Sequence, residues 1–287
     1  MPHQSLVLPY TPPLAWEELL TFLAKRSLTG MMHIEGSVYH RCVSMAGHTG
    51  YISLSNHGHG NSLGLSMSPS LESEQTQIAE LSAQLFDLHA DTDAIEQHLR
   101  AQGQFIRAAG LRLPGAFDPF EMVVRAILGQ QISVAAATTV AGRVAKTYGT
   151  ALETPSPYLT HTFPSASSIA CLTPAHLSAL GIITRRAQCI IRLAQEIDGG
   201  HLDLRPKDWD KEDCERVIRQ LTELPGIGDW TAHYIAMRAL KWRDAFPAAD
   251  LGIMKALKVS NAKAAISAAQ VFRPYRAYAV MHLWSQL

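Results

Sequence analysis

The 287-residue sequence has few of the features that mark metal-bound, exported or membrane proteins. Its four cysteines lie far apart, without the C-x-x-C spacing that holds zinc or an iron–sulfur cluster. No charge-free apolar run approaches about 20 residues, and the first residues lack the basic start and apolar core of an export signal. We therefore expect a cytoplasmic protein with reduced thiols, no zinc, no iron–sulfur cluster and no membrane contact.

Net charge is also absent, because 25 basic residues balance 25 acidic ones. A protein that wraps long nucleic acid needs an excess of lysine and arginine, so this balance argues against that class. The distribution is uneven, however, since residues 216–287 contain ten Lys and Arg against four acids, a net charge of +6. This local excess favours one anionic partner, and the alternative is an ordinary solvated helical surface.

The pattern of apolar residues divides the chain near residue 92. Before it, one helical segment, LAWEELLTFLAKRSL, precedes the alternating segments GYISLS and SLGLSMS, which the loop NHGHGN joins as a hairpin. After it, the segments are helical and proline-bearing loops separate them. We predict an α+β fold, with an N-terminal antiparallel sheet and helices over residues 1–92 and an all-α region over residues 93–287.

Capping residues mark several helix boundaries in the second region. Asp118, followed by Pro119 and three residues later by Glu121, predicts a helix start. Gly149 predicts a helix end, and later helical segments also begin at Thr or Asp or end at Gly.

A glycine-rich turn, LPGIGD, joins two helical segments at residues 224–229. Pro225 ends the first helix, because a proline disfavours helix in the residue before it. Gly226 and Gly228 are expected to adopt backbone angles that a side chain would penalise, and they leave backbone N–H groups uncovered. Bare amides at the start of the next helix suit one phosphate group, whereas the alternative is a plain corner between two helices.

Five segments carry a resemblance to a known family. LPGIGDWTAHYIAMRAL resembles the helix-hairpin-helix of the DNA glycosylase superfamily, and AADLGIMKAL resembles the loop and aspartate signature of that group. Three more resemble its 3-methyladenine DNA glycosylase II branch: RLPGAFDPFEMVVRAILGQQISVAAA, FRPYRAYAVMHLW and PPLAWEELLTFLAKRSL. The resemblance covers nearly the whole chain. It implies a cleft between two helical subdomains, one of about residues 118–240 and one of about residues 93–117 plus 241–287.

The resemblance implies hydrolysis of the N-glycosidic bond of alkylated purines, such as 3-methyladenine and 7-methylguanine, in duplex DNA. The base would be flipped out and removed as a step of base excision repair. Asp250 matches the catalytic aspartate. It also precedes an apolar run, and a helix N-terminus there would favour its ionised form. A carboxylate stabilises the oxocarbenium-like sugar that forms as the base departs.

Trp230 stands where bifunctional relatives carry a lysine that forms a Schiff base with the sugar. The resemblance therefore implies a monofunctional enzyme that leaves the abasic strand intact. Two alternatives stay open: a non-catalytic protein that binds damaged DNA, and a bifunctional glycosylase/lyase for oxidised bases.

The resemblance also assigns the base pocket, whose aromatic rings would hold a cationic alkylpurine. For each ring, core packing is the alternative. Leu251, beside the aspartate, departs from the tyrosine of the best-known relatives and leaves the substrate range open. The base-pocket residues are Phe22, Trp230, Tyr234 and Trp284.

DNA contacts and a structural ion follow from the same resemblance. Gln131 is expected to fill the gap left by the flipped base, or else to cap the next helix. The basic C-terminal quarter, including Arg238 and Arg276, is expected to face DNA. We expect a monomer that needs no cofactor for catalysis. The other DNA-binding positions are Pro225, Gly226, Ile227, Gly228 and Thr231, and the carbonyls of Thr222, Leu224 and Ile227 are expected to hold a monovalent cation, Na⁺ or K⁺.

Overall fold

A computed structural model describes residues 4–58, 60–205 and 207–286. The sheet is antiparallel, with its five strands in the order β1-β5-β4-β3-β2. The strands are β1 (Gln4–Pro9), β2 (Met32–Glu35), β3 (Val38–Met45), β4 (His48–Asn56) and β5 (Ser62–Met67).

The helices lie mostly after the sheet. Three belong to the first part of the chain: α1 (Trp16–Ala24), α2 (Gln75–Phe86) and α3 (Thr92–Ala101). The rest are α4 (Pro119–Leu128), α5 (Val134–Tyr148), α6 (Ala166–Ala170), α7 (Pro174–Ser178), α8 (Thr184–Asp198), α9 (Lys211–Glu223), α10 (Asp229–Arg238), α11 (Leu251–Ala256), α12 (Ala262–Ala268) and α13 (Arg276–Trp284). The α+β prediction is confirmed.

Alternation of apolar and small polar residues explains the hairpin of β4 and β5. Ile52, Leu54, Leu63 and Leu65 are fully buried, and α1 and α2 contribute to the same core. Successive side chains of a strand point to opposite faces, so the intervening serines lie on the other face. The hairpin predicted for these segments is confirmed, and His59 of its loop lies outside the described residues.

The predicted helix boundaries of the second region are capped as expected. Asp118 accepts hydrogen bonds from the amides of Phe120 (2.9 Å) and Glu121 (3.2 Å), and α4 begins directly after it. Helix α5 ends immediately before Gly149. The helix that follows α4 is capped by Ser133, whose hydroxyl accepts from an amide of its first turn. The alternative role of Gln131 as that cap is therefore wrong.

Two hydrophobic cores fill the molecule, and the segment between α3 and α4 touches both. Phe117 packs in the core under the sheet, whereas Leu113 packs in the core of the helical region. Fully buried Arg112 donates to the carbonyls of Asp87 (3.0 Å) and Ala90 (2.7 Å), which ties this segment to the end of α2. The domain boundary near residue 92 stays a prediction.

In the described part of the chain, no helix combines the length and the apolar character that crossing a bilayer requires.

Candidate active site

A cleft of about 370 Å³ lies where the N-terminal unit meets the helical region. The N-terminal unit contributes residues of α1, β2 and β3 to its lining, and the helical region contributes residues of α4, α5, α10 and α13. Three of the predicted site aromatics and Asp250 line this one cleft: Trp230, Tyr234 and Trp284.

Asp250 is held by three N–H donors. Its Oδ1 accepts from the amide of Ile253 (3.0 Å) and from the indole Nε1 of Trp284 (3.0 Å). Its Oδ2 accepts from the indole Nε1 of Trp230 (3.2 Å). The amide bond is the N-cap of α11, so the capping expected from the sequence is confirmed. Charge-assisted donors on both oxygens fix the orientation of the carboxylate in the cleft.

The aromatic rings form one connected group around this carboxylate. The rings of Trp230 and Tyr234 stack with centroids 5.4 Å apart and planes 6° apart. Tyr234 and Trp284 are tilted, with centroids 6.2 Å apart. The two residues four apart on α10 thus stack along one face of the helix, as their spacing predicts. We call Asp250, Trp230 and Trp284 the carboxylate region of the cleft.

A second part of the cleft lies around the hydroxyl of Tyr234. We call the four arginines that line the cleft, Arg26, Arg41, Arg125 and Arg238, the arginine region. Arg238 donates from Nη1 to this hydroxyl (3.1 Å), and the Arg26 guanidinium also lines the cleft. Burial alone would raise the pKa of Tyr234, but the positive charges of Arg238, Arg26 and Arg125 lower it below its usual value. Positive potential therefore dominates this part of the cleft.

Phe22 lies behind the arginine region. The Arg26 guanidinium lies 3.7 Å from the centroid of its ring, and the Arg238 guanidinium lies 5.1 Å from it. Phe22 is absent from the described cleft lining, whereas its neighbours Leu23 and Arg26 are part of it. The N-terminal unit thus reaches the cleft, but it presents an arginine where the sequence predicts a ring.

Two carboxylates at the start of α4 balance part of this charge. Glu121 pairs with Arg41 (2.8 Å) and with Arg125 (2.8 Å), and its side chain is only 4% exposed. Burial and the nearby charge of Glu121 raise the pKa of Asp118 to about 6. From the sequence, Glu121 had only a capping role. Its partner Arg125 lies four residues later on the same helix, whereas its partner Arg41 lies on a distant strand and could not be predicted.

The predicted hairpin joins α9 to α10. Gly226 has φ +103°, and a Cβ there would lie 3.2 Å from the Cβ of Cys189 on α8, so a glycine is required. Gly228 has φ −100°, which any residue adopts, and a Cβ would meet nothing within 4 Å. The prediction that Gly228 needs unusual backbone angles is therefore wrong. Its missing side chain leaves open surface before the first amides of α10.

The other hairpin positions differ in exposure. Pro225 is exposed, whereas Ile227 and Thr231 are buried. The hydroxyl of Thr231 accepts from the side chain of Gln130 (3.0 Å), which also donates to the carbonyl of Gly226 (2.9 Å). Gln130 thus ties the end of α4 to the hairpin. Sequence reasoning missed it, and its place in the segment LGQQ was the only signal.

Two exposed side chains, one before α5 and one at the start of α11, adjoin residues that line the cleft. Gln131 is exposed with φ +56°, and its neighbour Ile132 lines the cleft. Leu251, directly after Asp250, is 79% exposed. Gln131 therefore lies beside the cleft, and its role toward DNA stays a prediction.

Two arginines that were expected to face DNA are buried. Arg238 is 3% exposed and donates to the carbonyl of Pro114 (2.6 Å) as well as to Tyr234. Arg276 is 5% exposed and donates to both carboxylate oxygens of Asp244 (2.7 and 3.0 Å). That placement is wrong, because a count of charges does not distinguish solvated arginines from those that satisfy buried acceptors.

The three carbonyls expected to bind a cation lie at the end of α9 and in the hairpin. The last carbonyls of a helix lack intrahelical donors, and an oxygen-only donor set suits a hard cation. The carbonyl of Leu224 already accepts from the amide of Ile227 (3.1 Å) and keeps a second lone pair. These donors fit such an ion, whose presence stays a prediction. Among described residues, no cluster of three His, Cys, Asp or Glu side chains could hold a metal.

Comparison with known proteins places the chain in a family. Residues 124–273 match the family described as HhH-GPD superfamily base excision DNA repair protein, and residues 5–118 match the AlkA N-terminal domain. DNA-3-methyladenine glycosylase 2 of Escherichia coli is 32% identical over 275 residues, which cover 96% of this chain and 95% of that protein.

Two further relatives extend this result. The probable bifunctional transcriptional activator/DNA repair enzyme AlkA of Mycobacterium tuberculosis is 35% identical over 99% of this chain, which spans 57% of that longer protein. The solved structure of a 3-methyladenine DNA glycosylase from Archaeoglobus fulgidus has the same fold, with a TM-score of 0.79 and 21% identity over 98% of this chain and 97% of that one. The chain belongs to the HhH-GPD superfamily of base excision DNA repair proteins.

Proposed function

We propose that this protein is a monofunctional DNA glycosylase that hydrolyses the N-glycosidic bond of alkylated purines in duplex DNA. The observation that carries the proposal is a carboxylate, Asp250, held by two indole N–H groups and an amide inside a cleft lined by aromatic rings. The relative named DNA-3-methyladenine glycosylase 2 supports the substrate class.

The chemistry follows from the position of the charge. Departure of the base takes the electron pair of the C1′–N bond with it and leaves positive charge on the sugar. An alkylpurine that is already cationic leaves as a neutral molecule, so no general acid is required. Asp250 stabilises the sugar cation, and water then adds to C1′ and loses a proton. Each carboxylate oxygen has two lone-pair sites, so Oδ2, with one donor from Trp230, keeps a site for the sugar or water.

The absence of a nearby amine supports the monofunctional assignment. Trp230 occupies the position after the hairpin where a Schiff-base lysine would be needed, and no lysine is found in the described lining of the cleft. The abasic product would therefore keep its strand intact. The same arrangement of Asp250 and aromatic rings disfavours a protein that only binds damaged DNA.

The hairpin contacts the backbone of the DNA. The first N–H groups of α10 lack intrahelical partners and face the open surface at Gly228, where one backbone phosphate fits. Pro225 and Gly226 shape the approach, and Gln131 fills the space of the flipped base. A monovalent cation on the carbonyls of Thr222, Leu224 and Ile227 would screen the phosphate charge. We further propose that the protein acts as a cytoplasmic monomer on nucleoid DNA.

The test is release of bases from methylated duplex DNA, identified by chromatography, with strand integrity measured before and after hot alkali. The proposal predicts free methylpurines and strands that break only after alkali. Strand breaks without alkali, together with a borohydride-trapped protein–DNA adduct, would establish the bifunctional alternative. Tight binding to damaged duplex without any base release would establish the alternative of a non-catalytic protein that binds damaged DNA.

A further inference from the structure

The arginine region carries positive charge that the protein leaves unbalanced. Glu121 pairs with both Arg41 and Arg125, and Asp118 is the second carboxylate beside these two arginines. Among the described residues, no carboxylate forms an ion pair with Arg26 or Arg238.

The two unpaired guanidiniums differ in their remaining donors. Arg238 uses Nε, Nη1 and Nη2 on the carbonyl of Pro114, the hydroxyl of Tyr234 and the carbonyl of Gly115 (3.4 Å). Arg26 is half-buried and donates from Nη1 to the carbonyl of Phe22 (3.0 Å). Because a guanidinium has five N–H donors, Arg26 keeps donors for a ligand in the cleft. The charges of both arginines act on the hydroxyl of Tyr234 and lower its pKa.

The carboxylate region fixes which edge of a bound purine meets these donors. The glycosidic bond must lie at Asp250, so the Watson–Crick edge, the part of a purine farthest from that bond, points away from Asp250. Trp230 bonds to Asp250 and stacks on Tyr234, whose hydroxyl meets Arg238. The arginine region therefore lies beyond these rings, as viewed from Asp250, where the Watson–Crick edge of a flipped base would be read.

The two purine types differ at that edge. A guanine-type base has an O6 acceptor, for which arginine is a matched donor, whereas an adenine-type base has an N6 amino group that donates. With an adenine-type base, the arginine N–H and the N6 amino group would face each other as two donors. Each would then be buried without an acceptor, which costs more free energy than a lost hydrogen bond.

We propose that Arg26 is a specificity-determining residue, through which the arginine region favours alkylated 6-oxopurines over alkylated 6-aminopurines. This inference rests on the proposed function and specifies its substrate class. The substrates compared are 3-methylguanine and 3-methyladenine in the same methylated duplex, because both lesions are N3-methylated cations. They differ at C6 in the required way, and also by the 2-amino group of guanine, which is itself a donor and offers Arg26 no acceptor.

The experiment measures release of both bases by the wild type and by Arg26→Met and Arg26→Lys. Met approximates the aliphatic stem of Arg without donors or charge, and Lys keeps the charge without the planar fork. Exposed Arg205, which pairs with Asp203 on the loop before α9, gives the matched control Arg205→Met. We expect Arg26→Met to lower the ratio of 3-methylguanine to 3-methyladenine release by roughly tenfold, the effect of one charge-assisted hydrogen bond. Arg26→Lys should fall between the two, and Arg205→Met should match the wild type.

An unchanged ratio in a folded Arg26→Met protein would overturn the inference while leaving the glycosylase assignment intact. Absence of any released base from the wild type would overturn both. A second readout needs no variant: free guanine should inhibit the wild type more strongly than free adenine. Equal inhibition by the two bases would also contradict the proposal that Arg26 recognises the O6 acceptor.

Discussion

The hairpin and the cleft use different parts of the chain. At the hairpin the molecule presents backbone, since Gly226 makes the turn and Gly228 leaves the amides of α10 uncovered. In the cleft it presents side chains, with Asp250 held by rings from α10 and α13 and with Arg26 contributed by the segment directly after α1. A short run of consecutive residues is therefore enough for the proposed contact with a DNA phosphate, whereas the proposed chemistry needs side chains from distant parts of the fold. The difference also predicts that binding and rate respond to separate substitutions.

The largest effect is expected at a residue that belongs to neither region. Arg276→Met would leave Asp244 buried and without its main partner, which costs about 3 kcal/mol or more of unfolding free energy. Urea unfolding measures this loss. If Arg276 instead contacted DNA, the variant would keep its stability and the salt dependence of binding would become shallower.

The next effect separates the two hairpin glycines. Gly226→Ala forces φ +103° on a residue with a side chain beside Cys189, and we expect a loss of about 2 kcal/mol of stability. Gly228→Ala should change stability by less than about 0.5 kcal/mol, because its Cβ meets nothing in the protein.

The affinity for duplex DNA, in contrast to stability, should change at Gly228. Gly228→Ala places a methyl group where a phosphate would approach, so duplex affinity should fall by roughly tenfold, as for the loss of one charge-assisted hydrogen bond. Fluorescence anisotropy at fixed salt measures the affinity. Full affinity in Gly228→Ala would show that the phosphate does not lie at this turn.

In the cleft, rate should change without affinity. Trp284→Phe keeps a ring but removes the N–H that bonds to Asp250, and single-turnover base release should slow by about tenfold. In an Asp250→Asn background the same substitution should have a much smaller effect, because the two residues act as one unit. Trp16→Phe is the matched control, since it also removes an indole N–H, which donates to the carbonyl of Ser37 (3.0 Å), and Trp16 is not part of the described cleft lining. If the effects of Trp284→Phe and Asp250→Asn on the rate were additive, Trp284 would contribute packing and not its hydrogen bond to Asp250.

The smallest effect is a pH dependence on the helix that carries Trp284. Burial, with Arg100 nearby, lowers the pKa of His282 to about 4, so between pH 6.5 and 4 the unfolded chain binds a proton that the folded protein does not. Stability is therefore lost as pH falls, by about 1 kcal/mol between pH 7.5 and pH 6. Urea unfolding at both pH values should show this loss, and His282→Gln should lack it. Equal losses in both proteins would assign the effect to other groups.

Local features could be predicted from the sequence because they depend on neighbouring residues. The caps at Asp118 and Asp250 and the turn at Gly226 each depend on side chains or angles within a few positions. The alternation in β4 and β5 likewise gave the correct buried face. The resemblance added the pairing of Asp250 with aromatic rings, and the structure brings these together.

Long-range features could not be predicted, because they depend on partners that the fold supplies. Arg238 and Arg276 count as surface charge in the sequence, but each satisfies acceptors of a distant segment or loop. Phe22 precedes Arg26 by one helical turn, and nothing local indicates which of them reaches the cleft. Gln130 bonds to the hairpin about 100 positions later in the chain, which periodicity does not reveal.

The most direct test of the central claim is Asp250→Asn, because asparagine still caps a helix and has nearly the same shape. Single-turnover release of methylated purines and affinity for the same duplex are measured on one preparation. We expect release to slow by roughly 100-fold or more, the effect of removing a transition-state charge partner, while affinity stays within about twofold. Release at the wild-type rate would contradict the assignment of the chemistry to this carboxylate.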